Sequence, residues 1–241
     1  EYRPLRRELR AFHPDECHHA CKDQAVRDSH RRMREELAAW AKANPGYDAL
    51  DLQREYYGIL VRNFKPVLFK ESPFYFEAGV NGGWAMRGDP ANPGRAVYNI
   101  AWETLDHGQL IPWDVKRRVS ERNRQRYSLV CGPLVDDIHH LPPFRTIFTK
   151  GFKGVREEVA AALKTCPAWD RQGRKELETA LVGLDAVRSI QLKFAARAKE
   201  MGKADTAAAA LRCPWEPPRT FFEGLNTLGF CREIFAYVEG L

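Results

Sequence analysis

Along most of the chain, apolar residues recur at steps of three and four, the period of a helix with one buried face. After Asp28 or Ser29, either of which can cap a helix start, Met33, Leu37, Trp40 and Ala41 share a face until Asn44-Pro45-Gly46 ends the run. From about Asp48 a second stripe follows, Leu52, Tyr56, Ile59 and Leu60, ending before Pro66. Between Gly151 and Gly154 the pattern predicts a turn, and beyond it Val155, Val159, Ala162 and Leu163 form the next stripe. The clearest signal runs from Asp170 to about Met201, where Leu177, Leu181, Leu184, Val187, Ile190, Phe194 and Ala198 fall on one side. A helix of that length reaches roughly 45 Å, so it needs a large neighbour.

The end of the chain behaves differently. Thr220 and Glu223 form a T-x-x-E capping box, in which the hydroxyl takes one orphan amide and the carboxylate another. Beyond it Phe221, Phe222, Leu225, Leu228, Phe230, Ile234, Phe235 and Val238 cover almost the whole circumference. A helix apolar all round is predicted to be buried in a large protein. Gly224 and Gly229 would let another backbone approach, and Arg219 is expected to bond near the helix start.

Residues 66 to 113 break the periodicity. Gly, Pro, Asn and aromatic residues dominate, and Gly and Pro are costly inside a helix. The stretch is too aromatic for a disordered linker. It reads as ordered loops with short extended pieces packed over a cavity or an interface. The organisation expected is therefore N-terminal helices over 1–65, an aromatic and glycine-rich loop region over 66–113, and a helical segment over 114–241, mainly α throughout.

With 241 residues the chain is long enough for a sizeable core. The net charge of +6 comes from arginines scattered among acids, the mark of solvated helix faces. A basic run, Lys116-Arg117-Arg118 with Arg122, Arg124 and Arg126, lacks the interleaved aromatics of a nucleic-acid platform, so no nucleic-acid partner is expected. No apolar run reaches the roughly 18 residues of a membrane span. The basic N-terminus has no apolar run behind it, so neither membrane nor signal peptide is expected. The six cysteines have irregular spacing and read as reduced thiols in a cytoplasmic protein.

Cys17, His18 and Cys21, with His13, His19 and His30 nearby, are residue types that zinc selects. No second paired cluster follows at the usual spacing, so no metal is expected. Asp136, Asp137, His139 and His140 form the densest acid–base cluster, where a carboxylate can orient an imidazole. Solvated residues beside a turn fit the same pattern. Trp84, Phe74, Phe76 and Glu77 offer an aromatic wall with one carboxylate, suited to a substrate pocket or to packing. Nucleophile-elbow, phosphate-loop and dinucleotide-binding motifs are missing.

Two stretches carry a family resemblance. His139-His140-Leu141-Pro142-Pro143-Phe144, followed by Gly151-Phe152-Lys153-Gly154 and a helix, resembles the H-T-x-P-D-Y segment and G-hydrophobic-x-G turn of glycyl radical enzymes of the pyruvate formate-lyase superfamily. Pro218-Arg219-Thr220-Phe221-Phe222-Glu223-Gly224-Leu225, with Leu228 and Phe230 and ending in Glu239-Gly240, is similar to that family's P-A-R-x-F-x-E-A-L helix. The resemblance implies the outer helices and first part of a ten-stranded α/β barrel, and it implies a lyase or dehydratase for a small polar metabolite. His139, His140, Phe144 and Trp84 are the implied substrate-binding candidates. His140, Pro143 and Phe144 depart from the family pattern by making a polar rim more apolar. The family's thiyl-cysteine loop and R-V-x-G glycyl radical motif do not appear, so this chain alone is expected to be inactive and carries no catalytic residue. Expected partners are the remainder of the barrel, in the same polypeptide or a second chain, a possible homodimer mate, and an activating enzyme. That enzyme uses S-adenosylmethionine and an iron–sulfur cluster in an anaerobic cytoplasm. A standalone helical interaction protein, or one subunit of a split radical enzyme, is the alternative.

Overall fold

A computed structural model describes residues 3–12, 23–74 and 143–239, and every regular element among them is a helix. In chain order these are α1 (Arg3–Phe12), α2 (Gln24–Ala43), α3 (Ala49–Asn63), α4 (Phe144–Thr165), α5 (Arg171–Glu200), α6 (Ala204–Arg212) and α7 (Phe221–Glu239). None of the described helices is long and apolar enough to cross a membrane.

The expected start of α2 is corrected. Asp23 caps it, its carboxylate accepting from the Val26 amide at 3.1 Å, so Asp28 and Ser29 lie inside the helix. The earlier start brings Val26 into the core, and the Ser29 hydroxyl is committed elsewhere, donating to the Asn63 carbonyl at 2.6 Å. α3 starts where expected, just after Asp48, which caps it in a reciprocal box with Asp51. Lys175 on α5 pairs with both carboxylates, at 2.6 and 2.7 Å, and so fixes the start of α3 against α5.

The long helix α5 is the spine. It runs between α3, α4 and α6, which pack along it, while α2 lies against α3. Met33 and Leu37 of α2, Leu52, Tyr56, Ile59 and Leu60 of α3, Ile190, Phe194 and Ala198 of α5, and Phe230 and Ile234 of α7 join one core. Phe194 sits at its centre. Its ring meets Phe64 edge-on at 5.5 Å and Phe230 at 6.0 Å, in aromatic geometries that add to the area they bury. Helices from both ends of the chain thus share one apolar interior.

After α3 an extended segment begins at Phe64 and runs on to Phe74, bending at Lys70–Glu71 and Pro73–Phe74, with no partner strand among the described residues. Side chains satisfy its carbonyls instead. Lys193 donates to Phe64 at 3.1 Å, Lys203 donates to Phe69 at 2.8 Å and also to Ser72, and Thr206 donates to Pro73.

The turn expected between Gly151 and Gly154 is a sharp break inside α4. Gly151 has φ 65° and ψ 175°, a combination essentially reserved for glycine. Its backbone presses on the loop after α6. A Cβ there would stand 2.8 Å from the Trp215 carbonyl carbon and 2.9 Å from that of Glu216. The break frees the next amides from the helical ladder, and the loop takes them. Phe152 donates to the Pro214 carbonyl at 3.0 Å and Lys153 to that of Trp215 at 2.9 Å. The Cys213–Pro214 peptide in this loop is cis.

Because both conformation and space exclude a side chain, Gly151→Ala is expected to cost about 2–4 kcal/mol. A urea unfolding series against wild type measures it. A loss under about 0.5 kcal/mol would show that the contact is slack.

Candidate functional site

The described part of the first resemblance stretch, from Phe144 to Gly154, meets the loop before α7 and the start of α7 at the Gly151 break. The 213–220 loop that caps the broken helix leads directly into α7, and its geometry is fixed by one ion pair. Arg212, the last residue of α6, donates through Nε to Glu223 Oε1 at 3.0 Å and through a second nitrogen to Oε2. Its remaining nitrogen donates to the Pro217 carbonyl at 2.7 Å. The same Glu223 carboxylate accepts the amides of Arg219 and Thr220, and the Glu223 amide donates to the Thr220 hydroxyl at 3.2 Å. The expected capping box is therefore present, and an arginine 11 residues upstream holds it. Arg219 makes its expected local bond, its guanidinium lying 3.7 Å from Glu216. On the loop's other side the Arg188 guanidinium lies over the Trp215 ring at 5.3 Å and donates to the Leu211 carbonyl. Lys150, Lys153, Glu157, Glu216 and Arg219 ring a cleft of about 350 Å³ beside this junction.

The aromatic residues of the junction make a wall. Phe144 opens α4, half-buried, with its ring edge-on to Phe148 at 6.3 Å. Phe148 in turn faces α7 at Gly224, where a Cβ would stand 3.4 Å from the ring, so the close approach at Gly224 is made by a side chain rather than a backbone. Two residues earlier on α7, Phe222 stacks on Phe74 at 6.2 Å with the planes 14° apart. Three stretches therefore converge: the start of α4, the start of α7, and the end of the extended segment that leads to Trp84.

Of the candidate substrate-binding residues, Phe144 lies in this wall. His139, His140 and Trp84 lie outside the described residues, as do Cys17, His18, Cys21, the Asp136–Asp137 pair and the basic run from Lys116. Phe148 went unnoticed in the sequence, although its i, i+4 spacing from Phe144 is a helix-face signal. Arg212 had no sequence signal, because its partner lies across a proline-rich breaker.

Burial governs the titration of the site's groups. Burial raises the Glu223 pKa, but Arg212 and the amides of Arg219 and Thr220 outweigh it and hold the carboxyl below its ordinary value. Burial pushes the Cys213 thiol up to about 11, with Glu223 adding to the effect, and pushes Cys231 up to about 12. Both thiols are protonated and unreactive at neutral pH. Among the described residues, no group of three His, Cys, Asp or Glu side chains is placed to hold a metal ion. The wall can enclose and orient an apolar surface, while the charged groups beside it hold the backbone in place.

No family model matches the chain, and no curated protein sequence matches it. Solved structures do match. A structure of 1,2-propanediol dehydration in Roseburia inulinivorans superposes with a TM-score of 0.62 at 13% identity, over 99% of this chain and 34% of that one. A glycyl radical enzyme from Archaeoglobus fulgidus gives 0.56 at 11% identity, over 89% and 34%. This chain shares the fold of the matching third of these structures. The glycerol-bound B12-independent glycerol dehydratase from Clostridium butyricum agrees, with a TM-score of 0.55 at 12% identity over 90% and 34%. The chain spans about a third of the length of each of these structures. The helical part of the expected glycyl radical enzyme architecture is present, and no barrel strand occurs among the described residues.

The depressed Glu223 pKa has a definite sign. Its stabilisation is complete above the unfolded value of about 4.3 and is lost as pH falls through the lower folded value. Glu223→Gln is expected to cost on the order of 1–3 kcal/mol at neutral pH and to flatten the acid limb of stability against pH. Urea midpoints between about pH 7 and pH 2 measure this, and an unchanged acid limb would remove Glu223 from the clamp. Iodoacetamide at about pH 8 should modify Cys166, which is partly exposed, at least about tenfold faster than Cys213 or Cys231. Equal rates in the folded chain would show that the two thiols are not enclosed.

Proposed function

We propose that this chain is the N-terminal portion of a pyruvate formate-lyase-like glycyl radical enzyme, a lyase or dehydratase for a small polar metabolite. The observation that carries the reading is the convergence of the described parts of the two motif-bearing stretches on one junction, in a chain that shares the fold of the matching third of the matched structures. Two of the matched structures concern the dehydration of small polyols, which favours a substrate of that size and polarity. In this reading the aromatic wall of Phe144, Phe148, Phe222 and Phe74 backs the substrate cavity, and His139, His140 and Trp84 are the further substrate-binding residues. Their role is to bind and orient the substrate and to exclude water, because the thiyl cysteine and the radical glycine belong to the rest of the barrel.

The apolar face of α7 supports the same reading. Phe230, Cys231 and Ile234 are buried in this chain's core, whereas Phe221 is 82% exposed and Leu228 39%. The burial expected all round is met here on one side only, and the free side suits the remaining barrel elements, in the same polypeptide or a second chain. The same exposed face favours the alternative of a helical interaction protein. The radical reading also brings a homodimer, an anaerobic cytoplasm, and an activating enzyme that uses S-adenosylmethionine and an iron–sulfur cluster.

The test is spectroscopic. The 241-residue chain and a protein extended past Leu241 are each incubated anaerobically with the activating enzyme and S-adenosylmethionine. A glycyl doublet in the electron paramagnetic resonance spectrum is expected from the longer protein only. A doublet from the short chain, or none from the longer one, would overturn the assignment. In the longer protein His139→Ala should keep the doublet while turnover falls on the order of tenfold to a hundredfold. Unchanged turnover would take His139 out of the site.

A further inference from the structure

The inference concerns α1 and a groove beside it, lined by residues other than those of the aromatic wall. The groove encloses about 890 Å³ between α1, the extended segment after α3, and the last turns of α5. Glu8, Ala11 and Phe12 of α1 form one wall, and Lys193, Ala196 and Arg197 of α5 form the opposite one.

The sequence of α1, RPLRRELRAF, carries one acidic side chain among its basic ones. That carboxylate is seated on the extended segment. Glu8 Oε1 accepts the Lys70 amide at 2.6 Å and Oε2 accepts the Glu71 amide at 2.9 Å. Two successive backbone N–H groups turned the same way make an anion seat, and a carboxylate filling both oxygens is a charge-assisted fit. The partners are more than 60 residues apart in sequence, so the contact is tertiary rather than a local cap. Phe12 adds an edge-on contact with Phe69 at 5.1 Å, against Val26 and Val67.

The helix itself contributes no buried residue to the body. Its hydrogen bonds to the segment are exposed at the surface. Few buried apolar groups and exposed hydrogen bonds define the parts of a fold that open locally, at a free energy below that of global unfolding. The extended segment, by contrast, is also held by Lys193, Lys203 and Thr206, whose bonds do not involve α1. We infer that α1 is a displaceable cover over this groove, latched by the Glu8 carboxylate on the Lys70 and Glu71 amides. Opening the latch bares those two amides and one whole wall of the groove without disturbing the core.

Amide hydrogen exchange on the full chain tests the latch. Glu8→Ala should accelerate exchange at Lys70 and Glu71 and along α1 by about tenfold or more, while the amides of α3 keep their wild-type rates. Glu8→Gln, which keeps the shape and loses the charge, should fall between the two. Unchanged exchange at Lys70 and Glu71 in both variants would show that no latch exists. Acceleration spread equally into α3 would show that α1 is an integral part of the fold and would overturn the cover.

Discussion

Everything around the candidate site depends on one contact between two backbones, that of Gly151 with the Trp215 carbonyl. A helix cannot break sharply at one residue without leaving amides unpaired, and unpaired buried amides are costly. Here the loop after α6 supplies the missing acceptors, and only a residue without a side chain leaves room for it. The break therefore sets two directions at once. It aims the first turns of α4, with Phe144 and Phe148, toward α7, and it delivers the loop from which α7 departs.

The rest of the fold gives that contact a rigid frame. The Phe64, Phe194 and Phe230 rings link α3, α5 and α7 through the core, so the start of α7 is referenced to the spine as well as to α4. Arg212 then takes up the remaining freedom of the loop by filling Glu223 and the Pro217 carbonyl together. Planar guanidinium and carboxylate groups match in a fork, which fixes orientation as well as distance.

How much of this could be read from residues alone depended on sequence distance. The Thr220–Glu223 cap, the start of α3 near Asp48 and the long helix from Asp170 were legible, because a cap or a stripe is decided within one or two turns. The start of α2 was not, since Asp23, Asp28 and Ser29 carry equivalent capping chemistry and tertiary packing chose among them. Gly151 announced a turn, but what the turn abuts lies 64 residues away. Nothing near Arg212 or Glu8 names its partner, because each pairs across an interruption that periodicity cannot bridge. Of the candidate site, Phe144 was visible through the resemblance, whereas the wall it joins required Phe148 and Phe222 to be brought together by the fold.

The way the extended segment is held carries a consequence for the molecule's behaviour in company. A solitary extended strand with bare donors and acceptors is a template for another chain, the usual beginning of sheet-to-sheet aggregation. Here ammonium groups occupy carbonyls of the segment, and a carboxylate occupies two adjacent amides at its bend. Ionic caps thus do in part for a lone strand what closure does for a barrel. They occupy part of the hydrogen-bonding capacity on which a second copy could be recruited, and they do so with long charged side chains that are costly to strip of water.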